Sequence, residues 1–194
     1  MLSKKLKNYH VILASGSPRR QEFFKDLDID FEIRLKPVEE DYPDHLVKAE
    51  ISDYLSELKS RPFKKELKEK DLLITSDTIV WHKGKALGKP VDEVEAFNMI
   101  QSLSGQTHEV ITSVCFTTTK DQKVVNCHTK VTFKDFTDDE ILYYVKNFNP
   151  VDKAGAYGIQ EWIGQIGVTK IEGSYFNVMG LPVHLVYKTL TNFI

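Results

Sequence analysis

Two adjacent arginines follow a short loop near the start of the chain. The sequence LASGSPRR at residues 13–20 comes directly after an apolar stretch. Ser17 suits a helix N-cap and Pro18 suits the first helical position, so the motif predicts a strand, a tight loop and a helix start. Amides at a helix start favour an anion, but the helix dipole disfavours Arg19 and Arg20 there. A bound polyphosphate would explain both features, and a capped helix with two solvated arginines is the alternative.

An acidic residue lies within the most apolar stretch of the chain. Asp77 follows the run LLITS at residues 72–76, and a second apolar run begins two residues later. A buried carboxylate is unfavourable unless it is paired, hydrogen-bonded or bound to a metal. Because active sites of α/β proteins often lie at strand ends, Asp77 is a candidate metal ligand or catalytic base. The alternative is a structural aspartate that accepts backbone hydrogen bonds.

Two lysines could add positive charge to such a site. Lys89 stands between Gly88 and Pro90, which restrict the local backbone and aim the ammonium group. Lys59 comes near the end of a predicted helix, where the helix dipole favours a cation. Either lysine could neutralise a phosphate. A solvated loop lysine and a solvated lysine at a helix end are the alternatives.

Acidic and amide side chains occur in two further segments. Glu39, Glu40 and Asp41 form a loop cluster that could hold Mg²⁺ or could be only solvated. The run DKAGAYGIQ ends on Gln160, whose amide could read the edge of a base; a glycine-rich turn into a short helix is the alternative. Together with the arginines, the lysines and the buried aspartate, these residues match the needs of nucleotide phosphate chemistry.

Composition restricts the other classes of function. The 194 residues are 41% apolar and 28% charged, which predicts a single globular domain over residues 1–194. A net charge of -2 opposes general nucleic-acid binding. No apolar run approaches the ~20 residues of a membrane span, and residues 1–9 lack the apolar core of a signal peptide. Cys115 and Cys127 lack zinc-ligand spacing, and their small number predicts a reducing cytoplasm.

Hydrophobic periodicity supplies the elements that must position these residues. Residues 31, 33 and 35 are apolar and alternate with charged residues, which predicts a half-buried strand. Residues 107–118 and 123–134 read as a long antiparallel hairpin. The pattern predicts a mixed α/β fold. The other predicted strands are 9–13 and 72–81, and the predicted helices are 18–27, 44–60, 92–103, 137–147 and 182–193.

Five ordered motifs together resemble the Maf family of nucleoside triphosphate pyrophosphatases, over residues 11 to 193. The motifs are LASGSPRRQEFF, SDTIVWHKGKALGKP, LSGQTHEVITSVC, DKAGAYGIQ and IEGSYFNVMGLP. The resemblance implies an α/β fold with an elongated mixed sheet flanked by helices and a cleft between two lobes, similar to inosine triphosphate pyrophosphatases. It also implies splitting of a nucleoside triphosphate into the monophosphate and pyrophosphate with a divalent metal, Mg²⁺, Mn²⁺ or Co²⁺.

The resemblance also implies a role for each candidate residue. Asp77 would be catalytic, as proton acceptor for the attacking water or as a metal ligand, and Glu40 would lie near the metal. Substrate choice would depend on Arg19, Thr78 and Gln160. The phosphates would be held by Ser15, Arg19, Arg20, Lys59 and Lys89.

The motif variants predict the substrate subgroup. The SPRR sequence, the threonine after the aspartate and the AYGIQ sequence resemble the dTTP- and UTP-preferring members, and a homodimer is expected by resemblance. Two alternatives are a pyrophosphatase for 7-methyl-GTP or another purine nucleotide, and a non-catalytic regulator of septum formation. Two departures stand out: Ser76 replaces a more frequent alanine, and the helix around Lys59 has fewer small residues than usual.

Overall fold

A computed structural model describes residues 2–193. It contains eight α-helices and seven strands over this range, joined by short 3₁₀ turns. The helices are α1 (Leu2–Leu6), α2 (Pro18–Asp26), α3 (Ala49–Ser60), α4 (Glu93–Leu103), α5 (Asp138–Phe148), α6 (Trp162–Gly167), α7 (Tyr175–Val178) and α8 (Val183–Phe193). The strands are β1 (His10–Leu13), β2 (Glu32–Ile33), β3 (Asp71–His82), β4 (Lys85–Leu87), β5 (Thr107–Thr117), β6 (Gln122–Phe133) and β7 (Val168–Glu172).

The strands form one mixed sheet. Its order is β2-β1-β3-β5-β6-β7, and β4 pairs with β3. Strand β1 is parallel to β2 and to β3, whereas β4 is antiparallel to β3 and β7 is antiparallel to β6. Parallel strands connected through helices, together with antiparallel neighbours, confirm the predicted mixed α/β fold.

The described chain divides into two compact units. The first unit contains residues 2–77, 112–127 and 180–193, and the second contains residues 78–111 and 128–179. In the first unit, Ile12, Leu73 and Phe63 pack together as one of the buried clusters. In the second unit, apolar side chains of β5 and β6 pack with those of α4 and α5, among them Ile100 and Ile141.

Local sequence signals account for two helix starts in the second unit. Thr137 accepts a hydrogen bond from the Glu140 amide, and the Glu140 side chain accepts one from the Thr137 amide, which completes a capping box at α5. Asp92 caps α4 by accepting from the Glu95 amide at 2.8 Å. These hydrogen bonds satisfy amides that have no partner within the helix.

Two predicted elements are shorter in the structure. The helix predicted over 44–60 begins only at Ala49, because Lys48 has a left-handed φ of 52°. The strand predicted over 31–35 is reduced to two residues, which pair only with β1. Ile33 and Leu35 are 47% and 60% exposed, so the prediction of a half-buried face was wrong. A two-residue strand at the edge of a sheet does not impose the alternation that a longer strand imposes.

Three helices, α1, α6 and α7, and two strands, β4 and β7, lie outside the predicted elements. Residues 2–6 form α1, and Leu2 and Leu6 are both buried because a spacing of four places them on one face. The surrounding lysines make the segment read as polar. No helix among residues 2–193 combines the length and the apolar character that crossing a membrane requires.

Candidate functional site

Two carboxylates converge on one lysine in the first unit. Lys59 Nζ lies 2.6 Å from Asp77 Oδ1 and 3.0 Å from Glu40 Oε2. Asp77 is only 6% exposed, whereas the side chain of Glu40 is half exposed. The structure therefore confirms that Asp77 is buried, and it brings together three predicted site residues that are far apart in the sequence.

The position of Lys59 depends on a polar face of α3. Ser52, Ser56 and Ser60 recur every fourth residue and are fully buried. Thr75 of β3 donates to the carbonyl of Ser56 at 2.6 Å, which ties α3 to the strand that carries Asp77. Small, hydrogen-bonded side chains allow the helix to lie close to the strands without leaving buried polar groups unsatisfied. Lys59, in the last turn of α3, therefore reaches the aspartate.

The loop before α2 is organised around Ser15. The Ser15 hydroxyl accepts from the Ser17 amide at 3.3 Å, and the Ser15 carbonyl accepts from Gln21 Nε2 at 3.2 Å. Ser17 stands at the N-cap position with Pro18 after it, as predicted, but its side chain makes no capping hydrogen bond. Arg19 is half-buried in the first turn of α2.

Arg20 links this helix to the end of the Asp77 strand. Its Nη1 donates to the Ser76 carbonyl at 3.1 Å, and its Nε donates to the Gly180 carbonyl at 2.8 Å. Burial lowers the pKa of Arg20, while the nearby carboxylates of Asp77 and Glu40 act in the opposite direction. An arginine stays charged at any physiological pH, so a fixed positive charge lies beside the peptide that precedes Asp77.

Ser76 is a residue of this site that sequence reasoning did not select. Its hydroxyl donates to the Ser113 carbonyl at 2.8 Å, while its own carbonyl accepts from Arg20. The backbone before Asp77 is thus held on both sides. The only sequence signal was the departure at this position, a serine in place of the more frequent alanine.

The remaining predicted residues belong to the second unit. Thr78 is half-buried in β3, and Lys89 is exposed in the loop after β4. The amide of Gly155 donates to the carbonyl of Gly88 at 3.0 Å, so the lysine loop is tied to the segment that carries Gln160. Gln160 Oε1 is buried and has no hydrogen-bond partner among the described residues. An unpaired buried acceptor is costly, and a ligand N–H would satisfy it.

Two buried histidines in the second unit belong to its core. His108 Nε2 and the Tyr157 hydroxyl are 2.7 Å apart. Burial, with a smaller effect of His82, lowers the pKa of His108 to about 3, so its imidazole is neutral. Burial also lowers the pKa of His82. Both side chains are buried.

The acidic residues of this site offer oxygen ligands to a divalent metal. Asp77 and Glu40 already direct carboxylate oxygens at a common cation, the Lys59 ammonium, and such oxygens are the donors that Mg²⁺ and Mn²⁺ prefer. Within residues 2–193, no group of three or more histidine, cysteine, aspartate or glutamate side chains is placed to hold a metal. The pair therefore fits a metal that takes its other ligands from phosphate and water.

The fold and the motifs place the chain in a known family. The chain belongs to the family of Maf-like proteins, whose family model matches residues 10–193. A protein named dTTP/UTP pyrophosphatase from Flavobacterium johnsoniae is 62% identical over 194 residues, which cover 100% of both chains. Another of that name, from Christiangramia forsetii, is 63% identical over 190 residues, covering 98% of this chain and 97% of the relative.

A solved structure supports the fold independently. The structure of the Staphylococcus aureus Ham1 protein matches with a TM-score of 0.55 and covers 95% of this chain and 100% of its own. Its sequence is only 17% identical, so the likeness concerns the fold alone.

Proposed function

We propose that this protein hydrolyses dTTP and UTP to the nucleoside monophosphate and pyrophosphate, a reaction that removes unwanted nucleotides. The observation that carries the proposal is the buried Asp77 carboxylate held at 2.6 Å from Lys59 Nζ. Relatives about 60% identical over nearly the whole chain are named dTTP/UTP pyrophosphatase, which supports the same reaction.

Asp77 is the proposed proton acceptor. A water oxygen attacks the α-phosphorus, the bond between that phosphorus and the bridging oxygen to the β-phosphorus breaks, and pyrophosphate leaves. The proton released by the water goes to the Asp77 carboxylate. The backbone restraints at Ser76 fix where that carboxylate stands, and phosphoryl-type transfer depends mainly on such positioning and on charge stabilisation.

Cationic side chains are the proposed phosphate ligands. In the first unit these are Arg19, Arg20 and Lys59, together with the Ser15 hydroxyl, and in the second unit Lys89. Guanidinium and ammonium donors stabilise the negative charge that builds up on the leaving pyrophosphate. Arg20 also has a structural role, because two of its nitrogens already donate to backbone carbonyls.

Gln160 is the residue that we propose recognises the base. Its buried Oε1 acceptor suits the N3–H donor that thymine and uracil share and that neutral cytosine lacks. A site built to meet a donor rejects an analogue that lacks it, because the site's polar atom stays unpaired. We assign Thr78 and Arg19 supporting roles in substrate choice.

A divalent metal, Mg²⁺, Mn²⁺ or Co²⁺, is the proposed cofactor. Asp77 and Glu40 would hold it, and when bound it would neutralise phosphate charge and polarise the phosphorus–oxygen bonds. We also propose that residues 1–194 act as one catalytic domain, as a homodimer in the cytoplasm. Cys115, a buried free thiol, is consistent with a reducing compartment.

A nucleotide panel tests this proposal. The panel contains dTTP, UTP, CTP, 7-methyl-GTP and ITP with each of the three metals, and both products are quantified. Two buried aspartates of β3 give matched variants, Asp77→Asn and Asp71→Asn. We expect turnover of dTTP and UTP that Asp77→Asn lowers about 1,000-fold or more and Asp71→Asn retains. Preference for a purine nucleotide would overturn the proposed substrate class. No turnover of any nucleotide would overturn the enzymatic assignment and favour the regulator.

A further inference from the structure

We propose that Tyr144 is a positioning residue for Gln160, and that its hydroxyl thereby sets the selectivity for thymine and uracil over cytosine. The inference rests on the proposed base-reading role of Gln160. It concerns a residue of α5 that does not belong to any of the five motifs, and its contacts lie wholly within the second unit.

Gln160 lies in a tight turn that Tyr144 closes. The Glu161 amide donates to the Gly158 carbonyl at 3.0 Å, so residues 158–161 form a single turn with Gln160 inside it. The Tyr144 hydroxyl accepts from the Gly158 amide at 3.0 Å and donates to Glu161 Oε2. One hydroxyl therefore binds both ends of the turn.

The Tyr144 hydroxyl and the turn 158–161 that it binds form a clamp, and the Glu161 carboxylate of this clamp is also held from its other side. Glu161 Oε1 lies 3.3 Å from Lys153 Nζ, and Lys153 is 8% exposed and pairs with Asp152 at 2.6 Å. A methyl group at Gly158 would come within 3.0 Å of the Glu161 carboxylate, so only glycine fits while that carboxylate stays in place. Tyr144 itself is fully buried, and burial followed by its bond to Glu161 raises its pKa, so the hydroxyl keeps its proton.

Orientation decides what a glutamine amide recognises. Oε1 accepts from the N3–H of thymine or uracil, whereas Nε2 donates and would suit the N3 acceptor of cytosine. A mobile amide could present either atom, so selectivity requires a fixed backbone on both sides of Gln160. Tyr144 supplies that restraint without touching the base, and loss of its hydroxyl would weaken discrimination more than chemistry.

Tyr144→Phe is the direct test, because it removes the hydroxyl and keeps the ring. The matched control is Tyr143→Phe, which removes the hydroxyl of the neighbouring, exposed tyrosine of α5. We expect Tyr144→Phe to lower the ratio of kcat/KM for dTTP to that for CTP about tenfold. The Tyr143→Phe ratio should stay within about twofold of the parent value. An unchanged ratio in folded Tyr144→Phe would overturn the proposal.

A conservative pair separates positioning from general stability. Glu161→Gln keeps an oxygen that can accept from Tyr144, whereas Glu161→Leu does not. We expect Glu161→Leu to reproduce the loss of selectivity and Glu161→Gln to retain most of it. Equal losses in the two variants would overturn the role of the Tyr144 bond.

A readout without turnover distinguishes this inference from the proposed function. NMR relaxation of the Gln160 side-chain amide, with no nucleotide present, should show greater mobility in Tyr144→Phe than in the parent or in Tyr143→Phe. Equal mobility in all three proteins would contradict positioning even if the parent hydrolyses dTTP. A parent that hydrolyses no nucleotide would contradict the proposed function, and the mobility difference would still decide the positioning.

Discussion

The polar groups around Asp77 in the first unit and those around His108 and Gln160 in the second unit differ in charge. In the first unit, Asp77, Glu40 and Lys59 are charged partners at 2.6 to 3.0 Å. In the second unit, His108 and Tyr157 are neutral and meet through a hydrogen bond, and Gln160 Oε1 is left unpaired. Charge suits a phosphate, which any nucleotide has, whereas neutral donors and acceptors distinguish one base from another. Under the proposed function, the comparison links the proton acceptor to the first unit and the recognition of the base edge by Gln160 to the second.

Removing the lysine of the ion-pair cluster should have the largest effect among the supporting variants. Lys59→Met leaves the Asp77 carboxylate buried without its cation and removes a proposed phosphate ligand. We expect kcat/KM to fall about 100- to 1,000-fold for dTTP and CTP alike. Lys25→Met is the control, because Lys25 pairs with Glu22 at an exposed site. A fall in kcat/KM for only one of the two nucleotides would contradict a role of Lys59 that is common to all nucleotides.

Arg20→Lys should reduce the rate less severely. A lysine cannot reproduce two donors aimed at the carbonyls of Ser76 and Gly180, so the backbone before Asp77 should loosen. We expect kcat to fall about 10- to 100-fold and the free energy of unfolding to fall by about 1–2 kcal/mol. Arg34→Lys, at an exposed pair with Glu32, is the control for steady-state kinetics and urea unfolding. Wild-type kcat in Arg20→Lys would contradict this positioning role.

Acid should destabilise the second unit before the first. His108 has a folded pKa of about 3, below its unfolded value of 6.5, so the unfolded state binds the extra proton below pH 6.5. The contribution of His108 to the free energy of unfolding is fully present above that pH. It is lost as pH falls from 6.5 towards 3, by about 1 kcal/mol per pH unit. Hydrogen exchange at pH 7 and pH 5 should show loss of protection in the second unit.

The first unit supplies the internal reference for that experiment. Burial raises the pKa of Asp71, but bonds from the Lys68 amide and His10 outweigh it and lower the pKa below its usual 3.8. Its contribution is present above pH 3.8 and is lost only as pH falls below that value. Equal loss of protection in both units between pH 7 and pH 5 would contradict the assignment to His108, and His108→Gln should reduce the effect.

Ser76→Ala should have the smallest effect. It removes one buried hydrogen bond to the Ser113 carbonyl and retains the bond from Arg20 to the Ser76 carbonyl. We expect a loss of about 1 kcal/mol in the free energy of unfolding and a fall in kcat/KM of about threefold or less. Urea unfolding and steady-state kinetics measure both. A fall as large as that of Arg20→Lys would show that the hydroxyl contributes as much to the position of Asp77 as the guanidinium does.

The sequence predicts what depends on short-range patterns. The apolar run around Asp77 predicts its burial, and Thr137 with Glu140 predicts the capping box of α5. The prediction of a long helix over 44–60 failed because periodicity does not reveal the left-handed backbone at Lys48. The motif resemblance, rather than spacing, placed Lys59 in the site.

Contacts between distant segments could not be predicted in this way. The approach of Lys59 to Asp77 depends on how α3 packs on its strands, and the clamp of Tyr144 on residues 158–161 joins α5 to a loop. Neither follows from residue types alone, since a buried tyrosine at helical spacing reads as core. Composition also gave no sign that the Gln160 acceptor would be buried without a partner.

The most direct test measures kcat/KM for dTTP and for CTP in two variants, one from each unit. Asp77→Asn should lower both values about 1,000-fold or more and leave their ratio unchanged, because the proton acceptor serves every nucleotide. Gln160→Leu should lower the dTTP to CTP ratio about tenfold, because only the imide loses its acceptor. Folded Asp77→Asn that retains parental turnover, or Gln160→Leu with the parental ratio, would contradict the division between the two units.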